Sequence, residues 1–331
     1  MLEVAAEKFT GTDLQVEYAR FDPQRHLERD VLAAIVFGDD AARAPDPRCI
    51  SVGLAPLVGH GLAEVWTGRG PVRLGEHGPI RFAEDGSHLM GCMELDEARY
   101  ADLAEATEAA YRTLLEFHAA SPYRNVWRIW NFMADINGGC GDEERYKRFS
   151  LGRARAFGSA HGPGELGYPA ATAIGTTTGA RRLQVCWLAG VAPGVPLENP
   201  RQVSAYRYPR QYGPAAPTFS RAMLTPARIL LISGTASIVG HGSMHPGNAT
   251  AQLDETLRNL DVLIAQGARK LRTTGRPASG PLLLKVFLRR PTDPAEIEHR
   301  LRRHFGPDVG VLILDAGICR SELLLEIEAI R

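Results

Sequence analysis

Cys319-Arg-Ser-Glu-Leu-Leu-Leu-Glu326-Ile-Glu328-Ala-Ile330 is an apolar, strand-like run with two carboxylates set into its end. Leu323, Leu325 and Ile327 alternate with Leu324, Glu326 and Glu328, so one face of the strand is apolar and the other finishes in acids. A carboxyl group held partly out of water is harder to ionise, and a raised pKa is what a general acid needs near neutral pH. The same pattern also fits an edge strand with its acids in solvent, so the choice rests on the chain before it.

Working back from this strand, residues 229–328 read as one unit. Ile229–Ala236 is a strand, and a glycine-containing loop follows from Gly240 to Gly247. In residues 250–265, Leu253, Leu257, Leu260 and Ile264 make one apolar helical stripe. Leu282–Leu288 is a second strand, and a second helix runs to Phe305 with Asp293 as its N-cap and Pro294 in its first turn. Val309–Leu314 and Leu323–Ile330 complete an α+β sheet. The phrases Ile232-Ser-Gly234, Gln252-x-x-x-Thr-x-x-Asn-Leu260, Lys285-Val-Phe-Leu288, Phe305-Gly306 and Leu324-x-Glu-Ile-Glu-Ala-Ile330, in this order, resemble the RidA/YjgF superfamily. That resemblance covers about the last third of the chain and puts the superfamily's functional glutamate at Glu326. It departs at Val311, where small members carry a carboxylate-binding arginine, which weighs against their imine-hydrolysing chemistry.

A second set of phrases lies upstream: Arg128-Ile-Trp-Asn-Phe-Met-Ala-Asp-Ile-Asn137, Arg145-Tyr-Lys-Arg-Phe149, Gly152-Arg153, Tyr168-Pro-Ala-Ala-Thr-Ala-Ile-Gly175 and Tyr206-Arg-Tyr-Pro-Arg-Gln-Tyr-Gly213. Together with the C-terminal unit they resemble the chorismatase family across most of residues 120–331. The resemblance implies two RidA/YjgF-like (chorismate-mutase-like) sheet-plus-helix units packed together. It implies an N-terminal part at residues 1–140, a central Arg/Tyr-rich segment at 141–217 completing it, and a C-terminal unit at 218–331. Its implied reaction turns chorismate into 3-hydroxybenzoate and pyruvate, in some members also 4-hydroxybenzoate, with no metal or organic cofactor. Cys319, seven residues before Glu326, resembles the 3-hydroxybenzoate-forming subgroup; an alanine there resembles the subgroup that hydrolyses chorismate to a dihydroxycyclohexadiene carboxylate. A thiol can exclude the hydrolytic water, although a buried cysteine with no function fits the residue alone. No histidine pairs with it by sequence to suggest a covalent thiolate.

Chorismate carries two carboxylates, a ring hydroxyl and an enol ether, so its site needs fixed cations and a proton source. Arginine grips a carboxylate bidentately. The candidates are Arg153, Arg207 flanked by Tyr206 and Tyr208 with Tyr212 nearby, and Arg221 in Phe219-Ser-Arg-Ala222. Arg145, Arg148 and Arg155 are weaker, since their helix could turn them to water. Glu328 shares the chemistry and face of Glu326.

The rest of the sequence bounds the reading. A chain of 331 residues with 44% hydrophobic content can build two cores. Its charges balance at 38 against 38, which removes any bulk electrostatic case for nucleic acid or an anionic membrane. No window approaches the roughly 20 apolar residues of a membrane span, and the first residues lack a signal-peptide pattern, so a cytoplasmic protein is expected. Five scattered cysteines without CxxC spacing argue against a disulfide scaffold or structural zinc. His241-Gly-Ser-Met-His245 has a metal-pair spacing but no third ligand in sequence. Val31–Phe37, Leu62–Trp66, Pro79–Phe82, His88–Leu95 and Val126–Phe132 read as strands, and Asp96–Ala120 as a long helix started by Asp96. Trp127, Trp130 and Phe132 read as core, and His118 as capped or exposed. The chain is expected to be a monomer or small homo-oligomer. A RidA-type deaminase and a non-catalytic binding protein are the competing functions.

Overall fold

The computed structural model describes residues 14–20, 22, 27, 30–38, 46–159, 167–177, 180–272 and 281–331. The first residues of the chain, on which the absence of a signal-peptide pattern was read, and residues 273–280 lie outside them.

The alternation in the C-terminal run is realised in three dimensions. Leu325–Ile330 is a central strand of a seven-stranded sheet. Leu325, Ile327 and Ala329 pack into one core, and Glu326, Glu328 and Ile330 point to the other face. The sheet runs Val195–Leu197, Ala222–Leu224, Leu230–Thr235, Leu325–Ile330, Leu283–Leu288, Gly310–Asp315 and Pro56–Val58. Two helices cover its outer face: Ala249–Arg272, whose stripe includes Leu253, Leu257 and Leu260, and Pro294–Phe305. Asp293 caps the latter, its Oδ1 accepting from Ala295 N at 2.9 Å.

A second seven-stranded sheet runs Gly317–Ile318, Ala170–Thr176, Asn125–Ala134, Arg182–Gly190, His88–Asp96, Ile80–Glu84 and Arg73–His77. The helices α1 (Leu103–Ala119) and α2 (Arg145–Ser159) cover it through Tyr111, Leu114 and Phe149. A four-stranded sheet, Gln15–Arg20, Leu62–Thr67, Val31–Phe37 and Cys49–Val52, completes the body. The inner faces of all three sheets share one core, with Trp66 edge-on to Trp130 at 6.2 Å and Phe287 and Leu314 beside them. This is the expected α+β arrangement of two sheet-plus-helix units.

The units exchange short strands across the boundaries expected from sequence. Pro56–Val58 and Val195–Leu197 pair in the C-terminal sheet, while Gly317–Ile318 pairs with Ile174 and Gly175 in the other. That last exchange carries the chain from one sheet to the other just before Cys319.

Three expectations are corrected. The long helix starts at Leu103 and not at Asp96, because Asp102 Oδ1 accepts from Glu105 N at 2.9 Å, while Asp96 caps only the turn Glu97–Arg99. His118 is buried and not exposed: Nδ1 lies 2.5 Å from Tyr123 O, and burial lowers its pKa to about 4. The scattered cysteines, which argued against a disulfide scaffold, include one joined pair, Cys92 and Cys186, direct cross-strand partners with Cα atoms 4.0 Å apart. Among the described residues no helix is long and apolar enough to cross a membrane.

Candidate active site

Glu326 forms the floor of a cavity of about 200 Å³ that opens between α2, the turns around Tyr208–Tyr212, and the loop 319–322. It sits in mid-strand, opposite Phe287, where the pleat turns it inward. A Cβ on Gly234 would collide with its Oε1, so the neighbouring strand leaves room for this carboxyl only by lacking a side chain there. Burial, and then the negative charge of Glu328, raise its pKa to about 7, against the opposing pull of Arg128 and Arg221. Its carboxyl therefore retains its proton far closer to neutral pH than an exposed glutamate does.

Glu328 has a different fate, although the two glutamates share a face. Lys285 Nζ lies 2.6 Å from its Oε1, Thr172 Oγ1 donates to Oε2 at 2.8 Å, and Trp130 Nε1 donates to Oε1 at 3.2 Å. Arg128 Nη2 completes the set with a short contact to Oε2. Against the penalty of burial, the charges of Lys285 and Arg128 hold this carboxyl below the usual range. It stays ionised, so Glu328 is no substitute proton donor.

Cys319 Sγ lies 3.8 Å from Glu326 Oε2. Burial first, and then the charge of Glu326, push its thiol well above the usual range, so it stands in the cavity wall as a neutral SH group and not as a thiolate.

Above these groups the walls carry cations with unmet hydrogen-bonding capacity. Arg153 is buried on α2 over the rings of Tyr111 (5.0 Å) and Phe157 (5.6 Å), and its Nε and Nη2 have no partner. Arg221 Nη2 donates to Val203 O at 2.9 Å and to Tyr208 OH at 2.7 Å, leaving Nε without a partner. Ser150 Oγ and Thr218 Oγ1, also in the lining, are buried and unsatisfied. Buried polar groups are ordinarily bonded. Such a concentration around one cavity fits a polar, anionic ligand.

Of the residues singled out by sequence, Glu326, Cys319, Arg153, Tyr212 and Arg221 come together here. Tyr206 and Arg207 do not. Tyr206 is exposed against Tyr168 (5.5 Å), and Arg207 lies on the surface over the Tyr206 ring (5.9 Å). Their expected place is taken by Tyr208 and by Arg320, whose guanidinium stacks 4.0 Å from the Tyr212 ring centroid. Arg320 lies beside Cys319 in the stretch that opened the reading, and its neighbourhood was the missed signal. Arg145 and Arg148 bind Glu97 and Asp102, and Arg155 lies 3.7 Å from Glu108, so that helix spends those arginines on structure. Val311 is buried on the helix-covered face of its sheet, away from the face that bears Glu326. His241, from the pair considered for metal, approaches Tyr212 OH with Nδ1 at 3.1 Å.

Residues 64–189 match the family described as chorismatase FkbO/Hyg5-like, N-terminal. The chain is 36% identical over 282 residues to a 3-hydroxybenzoate synthase of Streptomyces hygroscopicus, covering 81% of each chain. It is 34% identical to a chorismatase of Streptomyces rapamycinicus, over 81% of this chain and 82% of that one. A crystal structure of a chorismatase superposes with a TM-score of 0.83 at 29% identity, covering 98% of this chain and 99% of the other. The α+β fold with a buried acid under an arginine-lined cavity is thus that of an enzyme, and the chain belongs to the chorismatase family.

Proposed function

We propose that this protein converts chorismate to 3-hydroxybenzoate and pyruvate, with Glu326 as the proton donor and Arg153 and Arg221 receiving the substrate's carboxylates. The observation that carries the reading is a carboxyl group with a raised pKa at the floor of a cavity whose buried guanidinium groups keep N–H groups without partners. Two carboxylates satisfy two arginines, and their negative charge further disfavours ionisation of Glu326. The enol ether then lies in reach of an acid that protonates its terminal methylene. The resulting oxocarbenium-like carbon takes the electron pair of the ring C–O bond and pyruvate leaves; the neighbouring ring hydroxyl then closes onto the vacated ring carbon, and loss of a ring proton with opening of the other C–O bond gives the aromatic 3-hydroxyl. Tyr208 and Tyr212, held by Arg221 and Arg320, offer phenol groups for the remaining oxygen atoms.

The product is decided by water. Formation of 3-hydroxybenzoate and pyruvate consumes no net water, whereas the dihydrodiol acid takes one in. The Cys319 thiol fills space directly against Glu326. The naming of the 36% identical relative as a 3-hydroxybenzoate synthase supports the same branch.

Incubating the purified protein with chorismate should give 3-hydroxybenzoate and pyruvate by chromatography. Absence of turnover would return the weight to a deaminase or a binding protein. Cys319→Ala opens room for one water beside the acid, so the dihydrodiol acid should become the major product. An unchanged product would discard the water-exclusion account and leave Glu326 untouched.

A further inference from the structure

Beneath the cavity, four charged side chains from three parts of the chain are buried together. Glu64, on the four-stranded sheet, lies 2.7 Å from Lys285 through Oε2 and accepts from Trp66 Nε1 at 2.9 Å. Lys285 bridges it to Glu328. Arg128, from the N-terminal seven-stranded sheet, binds Glu328 and Thr172 through Nη2. All four are almost fully buried. The formal charges of two anions and two cations cancel within this group, although Arg128 Nη1 has no hydrogen-bond partner. Glu326 is two residues from Glu328 on the same face.

We propose that Glu64 and Glu328 are positioning residues for proton transfer: between them they take up Lys285 and Arg128, so that Glu326 is left without a cation of its own. Without those two anions, the uncompensated charges of Lys285 and Arg128 would favour an ionised Glu326, useless as an acid. With both cations committed, ionising Glu326 would put an uncompensated charge into the buried cluster. Thr172 ties this group to the cavity wall, since its Oγ1 donates to Glu328 and accepts from Gly234 N at 3.1 Å. Other titratable groups also face Glu326. Arg221 and Arg153 stand at the cavity wall, Tyr146 comes from α2, and Cys319, Arg320 and Glu322 come from the preceding loop. The arginines at the wall are those with capacity for the substrate's carboxylates; the committed cations below are permanent. Glu64 therefore acts on the reaction from a sheet that contributes nothing to the cavity lining.

This inference rests on the proposed role of Glu326, and two readouts separate the two. Glu64→Gln removes one anion and keeps a bonding group for Trp66. The alkaline limb of the pH profile of kcat/KM for chorismate should move acidward by about one to two pH units. Glu328→Gln should move it the same way and further, and serves alone if Glu64→Gln does not fold. Glu64→Gln/Lys285→Met restores neutrality and should return the limb to its original place, which a merely structural role for Glu64 would not do. Difference infrared spectroscopy of the protonated carboxyl band, assigned by its loss in Glu326→Gln, follows the same shift in resting protein without substrate. A band that moves as stated without turnover of chorismate would uphold the network and overturn the proposed reaction. A limb and band that stay in place in Glu64→Gln and Glu328→Gln would overturn the network and leave the reaction standing.

Discussion

Glu326→Gln should lower kcat for chorismate by roughly 10²–10⁴-fold, the usual contribution of a positioned general acid, with little change in KM. Protonation of carbon is the difficult step, and glutamine fills the same volume without a transferable proton. The same substitution should stabilise the fold at alkaline pH. The folded-state pKa of Glu326 is raised from 4.5 to about 7. Its neutral form is thus fully accommodated below pH 4.5, and stability is lost as pH rises through about 7, to a total of roughly 3 kcal/mol. The variant lacks this loss. Urea denaturation should show the variant as the more stable protein at alkaline pH and the two as equal under acid conditions. Activity within tenfold of the parent would remove Glu326 as the acid, and parallel stability curves would remove its buried, neutral state. Loss of activity together with gain of stability is the signature of a group kept in place for chemistry at the expense of the fold.

Much of this was open to sequence reading because it is written in periodicity. Alternation over Leu323–Ile330 placed both glutamates on one face, and the helical stripe and the Asp293 cap fixed the elements around them. Arg153 and Arg221 were visible because the two carboxylates of the implied substrate call for arginines. What failed was local. In and between the turns Ala205–Arg207 and Arg210–Tyr212 no regular period says which side chains face inward, and those that line the cavity are Tyr208, Gln211 and Tyr212, with Tyr206 and Arg207 outside it. Strands of two or three residues, such as Gly317–Ile318 and Pro56–Val58, carry no pattern of their own, so the exchange between sheets was hidden. The division of labour between Glu326 and Glu328 was hidden for a different reason. It depends on Lys285, Arg128 and Glu64, which meet only after three sheets have packed.

That dependence makes Lys285 the residue whose loss should cost the fold most. Lys285→Met keeps an unbranched side chain of similar volume but removes the ammonium, whose Nζ lies 5.3 and 5.8 Å from the ring centroids of Phe37 and Trp130. Only the charge disappears, and two carboxylates that shared it remain buried. Removing one partner of a buried ion pair costs about 3–5 kcal/mol, because the cost is that of the stranded charge rather than of the lost attraction. The pH dependence gives the sign. Without Lys285 the lowered pKa of Glu328 rises, so the deficit should be small under acid conditions, where that carboxyl is neutral, and grow as pH rises. Glu64→Gln/Lys285→Met, which leaves Glu328 paired with Arg128, should recover much of the loss. A deficit independent of pH, and unrelieved in the double variant, would mean that Lys285 matters for packing alone. A deficit that follows pH and is relieved by removing Glu64 would show that the two sheets are joined by a balance of charge, the same balance that leaves Glu326 its proton.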